Sequence, residues 1–147
     1  MREVKTTYPV RVPLQTRFSD TDASGHINNV ALMAYFELGR AHYFKALKGE
    51  FNSRGRGFIL GSIEATFRKQ AFFGDDLEVE AGICGIGRSS FKISCRIVNR
   101  KTGHLIAESE ATVVSFDFSK GRTTPLSEEW KRLVAKLEGV ELEEPTQ

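Results

Sequence analysis

Between Asp20 and Asn29 the chain sets two carboxylates (Asp20, Asp22), a histidine (His26) and two amides (Asn28, Asn29) within ten residues, just before an apolar helical pattern begins. The start of a helix presents backbone N–H groups that lack intrahelical acceptors, together with a partial positive charge. Such a place can hold a developing oxyanion. A carboxylate beside it can attack a carbonyl or activate a water. The chemistry these groups suit is acyl transfer. A thioester fits so sparse a site because it is reactive and departs as a thiolate. Asp, Ser and Asn are also the commonest turn and N-cap residues. On composition alone, capping and catalysis are evenly matched.

The elements that must position this segment can be read from periodicity. Val10, Val12, Leu14 and Phe18 alternate with Arg11, Gln15 and Arg17, which predicts a half-buried strand. Pro13 lacks an N–H and places this strand at an edge or at a bulge. The turn Ser19–Gly25 follows. From about Asn28 to Lys48, Leu32, Tyr35, Phe36, Leu38, Tyr43 and Leu47 recur with helical spacing, and Glu37, Arg40 and Lys45 are the few charges among them. A helix apolar around so much of its circumference must be wrapped by other structure. A Gly- and Arg-bearing loop spans Lys48 to Gly57. Next come strand patterns at Ile59–Phe67, Leu77–Ile83, Phe91–Ile97 and Leu105–Phe118, with reversals at Gly74–Asp76, Gly85–Ser89 and Asn99–Gly103. Leu126, Trp130, Leu133, Val134 and Leu137 form a short amphipathic helix, capped by Ser127 or Thr124 and ended by Gly139. The acidic tail, 140–147, is expected to fray. One strand, one very apolar helix and four antiparallel strands are satisfied most economically by a curved sheet wrapped around the helix.

The 147 residues suit one domain, 1–147, with a core of about 8–138. A composition of 40% hydrophobic and 27% charged residues is that of a soluble globular protein. The net charge of +2 argues against a polyanion-binding role of the nucleic-acid type, and suits a small phosphate-bearing ligand. Cys84 and Cys95 fall on apolar-facing strand positions and read as buried, reduced thiols; with no CxxC motif and no Cys/His cluster, no metal and no cofactor are expected. The N-terminus lacks the apolar run of a signal peptide, and no stretch approaches a membrane span, so a cytoplasmic location is expected.

The run Arg17–Val30, with the pattern D-x-D-x-x-G-H-x-N-N, resembles the signature of hotdog-fold thioesterases of the 4-hydroxybenzoyl-CoA thioesterase type and their acyl-CoA relatives. The helix segment Tyr35–Arg40 and the reversal Gly87–Phe91 are similar to theirs too, and the resemblance extends over roughly Val10 to Phe118. It implies an α+β hotdog fold: a five-stranded antiparallel sheet around a long central helix, with a short C-terminal helix. It also implies hydrolysis of an acyl thioester, carried by coenzyme A or by an acyl-carrier protein, in a homodimer or homotetramer with the site at the dimer interface. Neither nucleic acid nor membrane is an expected partner. Asp22 matches the family's catalytic carboxylate. Asn29 falls where a backbone N–H polarises the thioester carbonyl. His26, Asn28 and Asn29 match the variant shared with plant acyl-carrier-protein thioesterases. Those enzymes carry Asn at the position of Ser24, so the reading here rests on Asp22 as nucleophile or general base, with Asp20 shaping the loop.

Other residues carry bland readings beside functional ones. His42 reads as packed within the helix and His104 as solvent-facing. Glu37 and Arg40 form an internal ion pair or line the pocket, which makes Glu37 a minor rival to Asp22. Tyr35, Phe36 and Phe44 read as core. Arg68, Lys69, Arg88, Ser89 and Ser90 are candidates for binding the coenzyme A portion, as are Arg54 and Arg56. The alternatives are a non-catalytic acyl-CoA binding module and, ranked lower because the His-and-Glu helix motifs are missing, a hotdog enoyl hydratase or dehydratase.

Overall fold

A computed structural model describes residues 1–47 and 55–142. In chain order the elements are β1 (Arg2–Glu3), β2 (Val10–Pro13), a 3-10 turn (Phe18–Asp20), α1 (Asn29–Leu47), β3 (Arg56–Phe67), β4 (Leu77–Ile86), β5 (Ser90–Asn99), β6 (Leu105–Asp117), β7 (Arg122–Thr123) and α2 (Glu128–Glu138). All pairings are antiparallel. The order across the sheet is β1-β4-β5-β6-β3, with β2 also on β4 and β7 on β6. This is the expected hotdog arrangement, and the five expected strands are β2 to β6. The two-residue segments β1 and β7 are additional, too short to leave a periodic signal.

Helix α1 lies against β2, β4 and β5. Its buried residues, Ala31, Leu32, Tyr35, Phe36, Gly39, Arg40, Tyr43 and Leu47, recur every three to four positions and form one face. Gly39 sets the approach distance: a Cβ there would stand 2.9 Å from Val79 Cγ2 and 3.4 Å from Cys95 Sγ. The lower end of α1 enters an aromatic cluster in which Phe44 stacks on Phe58 at 5.7 Å and Phe91 meets Trp130 at 4.7 Å. Trp130 belongs to α2, whose N-cap is Ser127, accepting from the Trp130 N–H at 3.1 Å. Gly139 ends α2 at φ 69°, a left-handed conformation that glycine adopts without strain. Near that end the buried Glu138 carboxylate accepts from Thr6 Oγ1 at 2.6 Å, Tyr43 Oη at 2.5 Å and the Ile83 N–H at 3.0 Å. A buried carboxylate is tolerable when it is hydrogen-bonded this fully. This one ties the N-terminal segment, α1, β4 and α2 together.

Several local expectations are corrected. Gly85 and Ile86 continue β4 rather than opening the reversal, because β1 pairs there, with Arg2 opposite Ile86. Cys84 follows the inward-facing Ile83 and so points to the opposite face of the sheet, while the register shift between Ile83 and Gly85 brings Ile86 back to the buried side. Cys84 is half-buried, with its thiol 3.6 Å from Glu110 Oε1. Burial and the Glu110 carboxylate push that thiol up to about 12. Cys95 is buried as expected. Arg56 and Gly57, read as loop, begin β3, while 48–54, including Arg54, lie outside the described residues. Of the tail, Val140 and Leu142 pack on the core instead of fraying, and 143–147 lie outside the described residues. No helix among the described residues is long and apolar enough to cross a membrane.

Candidate active site

Asp22 is held in a tight loop. Its N–H donates to the His26 carbonyl at 2.8 Å, and its own carbonyl accepts from the Gly25 N–H at 3.0 Å. Gly25 takes φ 84°, which closes the turn. The Asp22 side chain is exposed, and its Oδ1 accepts from the N–H groups of Ser24 (2.8 Å) and His26 (3.2 Å). Those two bonds fix the carboxyl plane. Oδ2 has no acceptor duty among the described residues and is the oxygen available to attack a carbonyl or take a proton.

The neighbouring groups divide their labour. Asp20 Oδ2 accepts from the Arg17 N–H (3.1 Å) and Tyr35 Oη (2.6 Å), and its carbonyl accepts from the Asn28 N–H (2.9 Å). It shapes the loop. Burial, with the Asp20 carboxylate, pushes the Tyr35 phenol above its ordinary range, so the phenol stays protonated and keeps donating. Asn28 Oδ1 caps α1 by accepting from the Ala31 N–H at 2.9 Å. Its amide is committed to that cap. The Asn29 and Val30 N–H groups find no acceptor among the described residues, and both residues are exposed. They are the free donors at the positive end of the helix. His26 pairs in a single bridge with Phe72, their rings 5.0 Å apart and close to perpendicular.

Asp22, His26 and Asn29 line one cavity of about 290 Å³ together with Ile27, Leu32, Phe67, Arg68, Lys69, Gln70 and Ala71. Gln70 and Ala71 carried no signal in the sequence; Ala71 enters because its carbonyl accepts from the Ile27 N–H at 2.7 Å, which folds the β3–β4 connection against the loop. Arg68 stands at the mouth, paired with Glu108 at 3.2 Å and exposed to solvent, which screens the pair. The turn bearing Arg88, Ser89 and Ser90 is elsewhere. The Ser115 N–H donates to the Ser89 carbonyl, whereas that of Arg68 donates to the carbonyl of Ile106. These two points on β6 are separated by about 30 Å of strand. Within one chain the two groups of binding candidates occupy opposite ends of the sheet. Glu37 is exposed on α1, Arg40 is buried, and no ion pair joins them. His104 is exposed and His42 half-buried. Among the described residues no group of three or more His, Cys, Asp or Glu converges as metal ligands do. A second cavity, of about 330 Å³, opens on the outer sheet face, where the Arg96 guanidinium lies 3.8 Å from the Tyr8 ring centroid and binds Glu80 at 2.6 Å.

A sheet curved around one apolar helix, with a carboxylate and free N–H donors at the helix start, defines a class. The chain belongs to the Thioesterase-like superfamily, whose family model matches residues 16–134. It is similar to a thioesterase from Thermus thermophilus whose crystal structure holds coenzyme A and Zn: 30% identity, 91% of this chain and 97% of that one, TM-score 0.81. A predicted thioesterase from Bacillus stearothermophilus is 28% identical over 86% of this chain and 93% of its own, with TM-score 0.77. The uncharacterized protein YsmA of Bacillus subtilis (strain 168) is 29% identical over 92 residues, and the match spans 63% of this chain and 63% of that protein's length.

Proposed function

We propose that this protein hydrolyses an acyl thioester of coenzyme A to a carboxylic acid and a free thiol. The observation that carries the reading is that Asp22, with Oδ2 free, lines the same cavity as Asn29, whose backbone N–H lacks an acceptor among the described residues. The thioester carbonyl oxygen accepts from the Asn29 N–H, with Val30 beside it. Charge that develops on this oxygen meets a donor already oriented for it. Asp22 Oδ2 then attacks the carbonyl carbon or removes a proton from the attacking water. The coenzyme A thiolate departs and takes up a proton; on the nucleophilic route water then hydrolyses the Asp22 acyl anhydride, and on either route the acyl group leaves as its acid with Asp22 restored. His26 lines the cavity, and its proposed part is to orient the attacking water. Arg68 and Lys69 offer positive charge to the nucleotide phosphates.

The active unit in this reading is a dimer formed along β3. That strand is twelve residues long, forms the edge of the sheet and leaves Leu60 50% and Phe67 42% exposed. A long unpaired edge flanked by apolar side chains is a surface that proteins cover. Antiparallel pairing about a twofold axis sets the Phe67 end of one chain beside the Arg56 end of the other. The partner's Arg88, the partner's Ser89 and the partner's Ser90 would thereby approach the Asp22 cavity, which reunites the separated candidates for coenzyme A binding.

The test is thiol release from short, long, branched and aromatic acyl-CoAs, read beside light scattering. Turnover of at least one, by a dimer or a multiple of it, is expected. Tight binding of acyl-CoA without turnover would replace this reading with that of a binding module.

A further inference from the structure

Arg40 is a buried charge that the proposed chemistry leaves without a partner. It is 8% exposed, its Nη1 has no hydrogen-bond partner, and it forms no ion pair with any described residue. A buried guanidinium is costly unless an acceptor meets it. A second buried polar atom, Ser109 Oγ, also has no partner, at 3% exposure. The two are close to the same landmark. Ser109 lies directly opposite Cys95, so the two side chains share a sheet face. Cys95 Sγ reaches the Phe36 carbonyl on α1 at 3.6 Å. The charge of Arg40 acts on that thiol, countering the burial that drives it up. Arg40 and Ser109 therefore both lie near Cys95, where α1 packs on β5 beside β6, with Arg40 Nη1 and Ser109 Oγ left without partners.

This region lies beyond the cavity that holds Asp22. Phe67 and Leu32 line that cavity. Along β3, Phe67, Ala65 and Ile63 face Ala107, Ser109 and Ala111 of β6. From Asn29 to Arg40 is about 16 Å along the helix, and the arginine side chain leans back toward the helix start. An acyl group whose carbonyl sits at the Asn29 N–H and which runs between α1 and β3 ends near the guanidinium.

We infer that Arg40 and Ser109 form a subsite for a carboxylate at the far end of the acyl group, so that favoured substrates are carboxyacyl thioesters. The inference rests on the thioesterase reading for its substrate. Its own test is binding. Calorimetry would compare the S-carboxyalkyl thioether of coenzyme A with the S-alkyl thioether of equal length, over several lengths, for wild type, Arg40→Met, Arg40→Lys and Ser109→Ala. At the length that fits, the wild type is expected to bind the carboxylated analogue about tenfold tighter or more. Arg40→Met removes this preference, Arg40→Lys retains part of it, and Ser109→Ala reduces it by about threefold.

Equal binding of the two analogues by the wild type overturns the subsite. So does a preference that survives Arg40→Met or is untouched by Ser109→Ala. Should Arg40→Met instead change the mass in light scattering and leave the preference intact, the guanidinium meets a second copy of the chain, and the subsite is again overturned. Should Arg40→Met fail to fold, the wild-type comparison and Ser109→Ala decide. Thiol release from the matching thioesters is measured in parallel: an intact binding preference with no turnover leaves the subsite standing and removes the thioesterase reading.

Discussion

The inner face of the sheet has two halves of unlike fate. On β4, Leu77, Val79, Ala81 and Ile83 are fully buried under α1. On β3, whose Phe58 packs against Phe44, Phe91 and Trp130, Leu60 and Phe67 are nonetheless 50% and 42% exposed. The difference comes from where the helix lies, since α1 packs mainly on β2, β4 and β5 and meets β3 through the Phe44–Phe58 stack, leaving Leu60 and Phe67 exposed. One half is finished by the chain itself. The other carries the exposed apolar surface and unpaired backbone of a strand that awaits a cover, and the Asp22 cavity opens beside it. The tightly packed core and the candidate site thus lie toward different halves of one sheet, so substitutions in each should separate in what they change.

The largest effect on stability is expected in the aromatic cluster that joins α2, β3 and β5. Trp130→Ala empties the space beneath Phe91 and Phe58 and should cost about 3–5 kcal/mol by urea unfolding. A loss below about 1 kcal/mol would mean the aromatic cluster is not a keystone of the covered half. Gly39→Ala comes next. Its Cβ would meet Val79 Cγ2 at 2.9 Å, and overpacking of this kind costs about 1–3 kcal/mol. An unchanged midpoint would show that α1 can lift off β4 freely. Asn28→Ala removes the cap on α1 and should cost about 1 kcal/mol. It tests whether the helix start is structural at Asn28 while remaining catalytic at Asn29: turnover per folded molecule should fall far less than for a change at Asp22. Smallest in tertiary stability is Leu60→Lys on the bare half, within about 0.5 kcal/mol for the isolated chain. Its signature is in light scattering, where the dimer should give way to monomer. A dimer that persists unchanged would place the twofold contact away from β3.

How legible the molecule was in its sequence varies by element. The start of α1, the Ser127 and Gly139 caps, and the hairpins of β4, β5 and β6 followed from local chemistry, because alternation and capping are properties of neighbouring residues. The D-x-D-x-x-G-H-x-N-N run pointed to the candidate site for the same reason. What escaped depends on pieces far apart in sequence. The distance between Arg88 and Asp22 is set by strand direction, which no single motif encodes. Exposure of β3 depends on which strands α1 covers. Glu37 and Arg40, three residues apart, looked like a helix pair, but one faces solvent and the other the sheet.

The most direct test of the proposed chemistry is thiol release by Asp22→Asn, on whichever acyl-CoA the wild type turns over best, with mass and melting temperature measured on the same sample. Asn keeps an oxygen to accept from the Ser24 and His26 N–H groups, so the loop should hold its shape while losing its nucleophile or base. The expected result is a fall in kcat/KM of about a hundredfold or more, with mass and melting temperature unchanged. Turnover within a few-fold of wild type in a correctly folded variant would contradict it, and would move the chemistry from Asp22 to Glu37 or His26.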